Sequence, residues 1–123
     1  MPKRILIAED EPNIAKSLTF LLERAGFEAI VEGDGDRVAD LVWDQNPDAL
    51  LLDVMLPGSD GYQILKSLRA DPRTAELPVM ILTAKGQQED RRMAMEAGAT
   101  EFVTKPFSNA DVTDGVQRML ERR

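Results

Sequence analysis

Histidine and cysteine are both absent from the 123 residues of this chain. Without an imidazole there is no general base, metal ligand or phosphate carrier of that kind, which excludes Ser-His-Asp triads and histidine-zinc centres. Without thiols, nothing in the fold depends on an oxidising compartment. Long apolar runs are missing too. The basic start, Met1-Pro2-Lys3-Arg4, is followed by only four apolar residues before Glu9, too few for a signal-peptide core, and no stretch nears the roughly 20 residues of a membrane span. No membrane insertion is expected, and a cytoplasmic location is. A basic excess is also lacking: the formal net charge is −7, and the only basic cluster is Arg118, Arg122 and Arg123. Direct binding to nucleic acid, which needs a basic patch to release counterions, is therefore not expected. Low-complexity segments, long linkers and repeats at a solenoid period are absent.

What remains is the composition of an ordinary globule, 43% hydrophobic and 30% charged. The length fits one domain, residues 1–123, with a core that needs no disulfide or metal staple. Strand-like and helix-like patterns alternate about five times along it. Pro12 opens a helix with Ile14, Leu18, Leu21 and Leu22 on one face, and Gly26 stops it. Phe27 to Val31 reads as a second strand, followed by a turn and cap at Gly33-Asp34-Gly35-Asp36. The next helix turns Val38, Leu41 and Val42 inward. Ala49 to Leu52 is apolar without alternation, as in a strand buried on both faces. After Pro57 to Gly61 comes a helix with Ile64, Leu65 and Leu68 inward, a turn at Asp71-Pro72, and a strand opened by Pro78. Gln87 to Ala97 reads as helix, ended by Gly98. A short fifth strand runs to Lys105, and the last helix, capped by Ser108 or Asn109, carries Val112, Val116, Met119 and Leu120 inward. Alternating β and α elements imply right-handed crossovers and a parallel sheet with helices on both faces, an α/β three-layer sandwich.

Four apolar runs end in chemistry-bearing residues. Ile5 to Ala8 runs into Glu9-Asp10, Ala49 to Leu52 into Asp53, Val79 to Leu82 into Thr83, and Phe102 to Thr104 into Lys105-Pro106. If these runs are parallel strands, their carboxyl ends share one edge, where open α/β sheets bind ligands. Clustered carboxylates raise one another's pKa unless a cation intervenes. Mg²⁺ suits such a site, since it takes one or two carboxylates, several waters and substrate phosphate. A carboxylate there can act as nucleophile and form an acyl phosphate. Lys105 supplies a point charge and Thr83 a hydroxyl donor for phosphoryl oxygens, matching the alignment and charge stabilisation that phosphoryl transfer needs. Taken singly, each residue has a plain structural role: Asp10 or Glu11 at a helix start, Asp53 at a turn, Thr83 as a strand end, Lys105 on the surface. Compatible chemistry at the ends of four separate runs favours the joint reading. The Asp34 and Asp36 turn lacks the further ligands of a calcium loop and reads as turn and cap.

These residues resemble the receiver domain of two-component response regulators, the CheY-like family. The likeness covers essentially the whole chain: Ala8-Glu9-Asp10-Glu11, Leu51 to Pro57 with Gly61 after it, Leu82-Thr83-Ala84, and Val103 to Phe107. It implies a five-stranded parallel sheet of order 2-1-3-4-5 in a flavodoxin-like, CheY-like sandwich. It further implies that Asp53 accepts a phosphoryl group from a phosphohistidine on a sensor histidine kinase or a histidine phosphotransfer protein. Asp10 and Asp53 would bind Mg²⁺ (or Mn²⁺) with the Met55 backbone carbonyl, and Glu9 would act through water. Thr83 and Lys105 would hold the phosphoryl oxygens, and Pro106 is a cis-proline candidate. Such a protein promotes phosphorylation and dephosphorylation of its own aspartate and is no conventional enzyme.

The resemblance carries further expectations. Thr83 moves toward the phosphoryl group and the aromatic at position 102 turns inward behind it, changing the surface offered to a partner. Many relatives have tyrosine there, and Phe102, with no hydroxyl to satisfy, should favour the buried rotamer more strongly. Met55 and Lys85 flank the expected path of the hydrolytic water and predict a comparatively long-lived phosphoryl state. Receivers of winged-helix transcription factors often pair through their fourth helix, fifth strand and fifth helix. Arg91, Glu101 and Asp111 stand on that face, but Gly115 and Gln117 fall where basic partners belong, so a monomer or weak dimer is expected. The chain stops just after its last helix, as a free-standing receiver or one excised from a longer protein would, so its output passes to an output domain or a downstream protein. Rival readings fit less well. A haloacid dehalogenase-type phosphatase wants a second aspartate where Met55 stands. A nucleotide or flavin site wants a glycine- or hydroxyl-rich loop where Glu9-Asp10-Glu11 would repel phosphate.

Overall fold

The four apolar runs and one half-exposed run form the strands of a single parallel sheet, each followed by a helix. In the computed structural model, which describes residues 2–84 and 88–121, the order is β1 (Arg4–Ala8), α1 (Pro12–Arg24), β2 (Glu28–Glu32), α2 (Gly35–Gln45) and β3 (Ala49–Asp53). Then come α3 (Gly61–Ala70), β4 (Val79–Thr83), α4 (Gln88–Ala97), β5 (Glu101–Thr104) and α5 (Asn109–Glu121). Lys85, Gln87, Arg122 and Arg123 lie outside the described residues. The strands lie in the order β2-β1-β3-β4-β5, all parallel.

Side chains alternate across a strand, so each central strand feeds two cores. Leu6, Leu50, Leu52, Val79, Ile81 and Phe102 face α2, α3 and α4. Ile5, Ile7, Leu51, Met80, Leu82 and Val103 face α1 and α5. All five residues of β3 and of β4 are buried, which is why those runs show no polar alternation.

Local chemistry sets the helix ends. Glu11 caps α1 by accepting from the N–H groups of Asn13 and Ile14, Asp34 caps α2 through the Asp36 N–H, and Asp60 caps α3 through the Tyr62 N–H. Ser108 and Asp111 exchange hydrogen bonds of 3.1 Å as a capping box for α5. The Asp34 turn is therefore a cap. β2 starts one residue later than its hydrophobic pattern suggests. Gly26, at φ +94°, and Phe27 send their N–H groups back to Glu23 and Leu22, and so belong to the close of α1.

Gly115 corrects an expectation. It is buried, and a Cβ built on it would collide with the Cε of Met80. The residue lets α5 lie close on β4 and is not a missing charge on an exposed dimer face.

Candidate functional site

Strand register places the site. Ala8 pairs with Leu52 and Asp53 with Leu82, so β1, β3 and β4 end together, and Glu9, Asp10 and Thr83 follow at the same edge. Thr83 in turn pairs with Thr104, and the Lys105 N–H donates to the Thr83 carbonyl at 2.7 Å, which brings the lysine to that edge. The Lys105–Pro106 peptide is cis.

Glu9, Asp10 and Asp53 each offer a carboxylate oxygen within 4.8 Å of the others. Glu9 and Asp53 are almost wholly buried, while Asp10 is exposed. Two buried acids side by side need a counter-charge, and the Lys105 ammonium supplies it, donating to Glu9 Oε1 at 2.7 Å and to Asp53 Oδ2 at 3.0 Å. The remaining oxygens take backbone donors. Asp53 Oδ1 accepts from the Met55 N–H at 3.0 Å, and Glu9 Oε2 from the Glu11 N–H at 3.1 Å. Because Glu11 does the capping of α1, Asp10 is left to the carboxylate cluster.

Burial pushes the Glu9 pKa up from 4.5, and the nearby Asp53 adds to that against the lowering hydrogen bonds from Lys105 and Glu11. Burial alone would lower Lys105. Its hydrogen bonds and attraction to Glu9 and Asp53 outweigh this, so its pKa lies above 10.5 and it stays charged. Glu9 is thus a weakened acid held by a firm cation. The donors are all carboxylate oxygens in one cluster, as in a site for a hard divalent ion such as Mg²⁺ or Mn²⁺.

The remaining expected residues are accounted for individually. Thr83 is buried at the end of β4. Phe102, in register with Ile81, shares the sheet face of Thr83 and is 8% exposed. Lys85 lies outside the described residues, and the Met55 side chain projects outward, 71% exposed. One partner was not legible: the Arg91 guanidinium lies over the Phe102 ring, 4.8 Å from its centroid. Arg91 stands exposed on the face of α4, β5 and α5, and only the packing of α4 on β5 shows that it covers the aromatic of its own chain.

Comparison with known proteins agrees with this geometry. Residues 5–117 match the family model of the response regulator receiver domain. The chain is 38% identical over 122 residues to the phosphate regulon transcriptional regulatory protein PhoB of Escherichia coli K12, covering 99% of this chain and 53% of PhoB. It thus spans about half the length of the curated relatives it matches. Among solved structures, a receiver domain of a Francisella response regulator superposes with a TM-score of 0.91 at 30% identity, covering 98% of both chains. The receiver domain of a sensor histidine kinase from Pseudomonas aeruginosa PAO1, with a magnesium ion coordinated in its active-site cleft, gives 0.90 at 30% identity, covering 98% of this chain and 99% of that one.

Proposed function

The chain belongs to the receiver domain family of two-component response regulators, and on that premise we propose that Asp53 accepts a phosphoryl group from a phosphohistidine of a sensor histidine kinase or a histidine phosphotransfer protein. The carrying observation is the cluster of Glu9, Asp10 and Asp53 within 4.8 Å, two of them hydrogen-bonded to the Lys105 ammonium. An Asp53 oxygen attacks phosphorus, the phosphorus–nitrogen bond breaks, and its electron pair stays with the imidazole. The Met55 N–H fixes the plane of the Asp53 carboxylate for that attack. As Asp53 becomes an acyl phosphate, Lys105 shifts its hydrogen bond to a phosphoryl oxygen, and the Thr83 hydroxyl donates to another.

Asp10, Asp53 and the Met55 carbonyl would hold Mg²⁺ (or Mn²⁺), with Glu9 acting through water; such an ion, when bound, neutralises the cluster and polarises the phosphoryl group. The oxygen-only donor set supports that choice. Thr83 and Phe102 form the switch. As Thr83 moves toward the phosphoryl group, Phe102, already 8% exposed and with no polar atom to satisfy, packs further into the space behind it and changes the surface offered to a partner. The reaction is on the protein's own aspartate, so this is no conventional enzyme.

The rest of the reading is equally our own. Residues 1–123 act as one receiver domain whose output goes to a further domain or a separate protein. The PhoB relatives are transcriptional regulatory proteins of nearly twice the length, and any nucleic-acid contact would fall to such a further domain, given the −7 charge here. No helix among the described residues is long and apolar enough to cross a membrane, which accords with a cytoplasmic site of action.

Incubation with Mg²⁺ and acetyl phosphate followed by intact mass tests the proposal. One phosphoryl adduct is expected in the wild type and none in Asp53→Asn or in the presence of EDTA. An adduct of equal yield in Asp53→Asn would refute it.

A further inference from the structure

Between the β3–α3 loop and the start of α4 lies a cavity of about 600 Å³, within the range of pockets that hold small ligands. Thr83 forms part of its wall, but Glu9, Asp10, Asp53 and Lys105 do not. Apolar groups dominate: Val54, Leu56 and Ala84, with Met55 and Met93 also on the wall. The two methionines are 71% and 42% exposed and belong to neither core. Flexible thioethers at such a place adapt readily to a guest.

The polar groups all point to one sign of charge. Asp60 and Asp90 line the cavity with Tyr62, and none of the described lining residues is cationic. Asp60 uses Oδ1 to cap α3 and keeps its negative charge at the cavity. The Tyr62 phenol is held neutral well into alkaline conditions, first by burial and then by Asp90 and Asp60, which raise its pKa above 10. Asp60 and Asp90 repel an anion. A neutral apolar guest gains burial alone, whereas a guest joining an apolar body to a cation gains burial and two carboxylates.

We propose that this cavity binds an amphiphilic cation: an apolar body of about one aromatic ring carrying a single amine or guanidinium, the charge against Asp60 and Asp90 and the body against Val54, Leu56 and Met93. The chemistry is shared by free small amines and by a basic segment of a partner protein. The site goes beyond the phosphoryl chemistry: it shares Thr83 and Met55 with the proposed phosphoryl site, but Asp53 lies outside its wall.

Amide chemical-shift titrations of the full chain in EDTA, without phosphodonor, test the proposal apart from the reading of Asp53. The probes are phenethylamine, 2-phenylethanol, 3-phenylpropionate and the capped dipeptide N-acetyl-phenylalanyl-arginine amide. Saturable shifts at Leu56, Tyr62 and Ala84 are expected with the two cations and not with the carboxylate. Asp60→Asn keeps α3 capped, since asparagine caps equally well. That variant and Asp90→Asn should each weaken amine binding up to about fivefold, the upper end for an ion pair open to solvent, and added salt should weaken it in wild type. Tighter binding of phenethylamine than of the dipeptide assigns a small-molecule ligand, and the reverse assigns a partner segment. Equal affinity for the alcohol and the amine, or an unchanged affinity in the Asp60→Asn/Asp90→Asn double variant, overturns the proposal.

Discussion

Lys105 is the residue on which the resting site turns, because its ammonium bonds both buried carboxylates. In Lys105→Ala those acids lose their counter-charge, and breaking a buried pair from one side costs about 3 kcal/mol. The sign with pH follows from Glu9. Its folded pKa lies above the unfolded 4.5, so its contribution favours the fold below 4.5 and is lost as pH rises through the folded value. Removing Lys105 deletes a lowering influence and moves that value further up. The variant's deficit should be full at neutral pH and shrink in mild acid, as read by urea unfolding in metal-free buffer. A deficit independent of pH would count against the pairing. Tyr62 permits a second measurement, since it is the only tyrosine. Phenolate absorbance should titrate with a midpoint above 10. Asp90→Asn should lower that midpoint without returning it to 10, because burial is the larger cause. A midpoint unmoved by Asp90→Asn would remove the acid from the environment of the ring. The raised value also means that stability is lost only as pH climbs beyond 10.

At the scale of elements, two glycines separate yielding contacts from unyielding ones. A Cβ on Gly61 would sit 2.6 Å from the Val54 Cα and 3.0 Å from the Asp53 carbonyl oxygen, both backbone atoms. A Cβ on Gly115 would meet the end of the flexible Met80 side chain. Gly61→Ala should therefore destabilise by about 1–3 kcal/mol, the usual range for overpacking, and slow acetyl phosphate labelling by displacing the strand end that carries Asp53. Gly115→Ala adds helix propensity of about 1 kcal/mol, which offsets the shift of Met80 and leaves stability near wild type. Denaturant midpoints that rank the two variants the other way would contradict this account. The same contrast shows what a sequence discloses about elements. Unbroken apolar runs marked β3 and β4, and helical spacing marked the inward Val38, Ile64 and Val116, because burial acts on each residue locally. The role of Gly115 was misread because it depends on which residue of β4 lies beneath, which no local pattern contains. β2 was displaced by one residue because Phe27 is apolar like a strand residue yet hydrogen-bonds as a helix terminus.

For the molecule as a whole, the carboxylate cluster was legible because parallel topology forces strand ends to one edge. Once the runs were read as parallel strands, Asp10, Asp53 and Lys105 had to approach one another. The outer face of α4, β5 and α5 was not legible, because its charges have partners in three dimensions that the chain order conceals. Arg118 Nη2 donates to Glu101 Oε1 at 3.0 Å, Arg91 lies over Phe102, and Asp111 Oδ2 accepts from the Ser108 N–H. Each of these charges is thus already engaged within its own chain. A symmetric dimer built from these groups must exchange an internal contact for an external one. At exposed positions such an exchange yields close to nothing, since ion pairs there contribute at most about 1 kcal/mol. A cis pair also forms without the loss of translational freedom that association entails. Sedimentation velocity at micromolar concentration should show a single chain, or a dimer that dissociates on dilution, with or without beryllofluoride and Mg²⁺. Glu101→Gln releases Arg118 while leaving the carboxylate cluster intact and should not strengthen association, because it removes an acid from the face as it frees a base. A tight dimer formed on activation would show that apolar contact on this face, and not its charges, governs assembly.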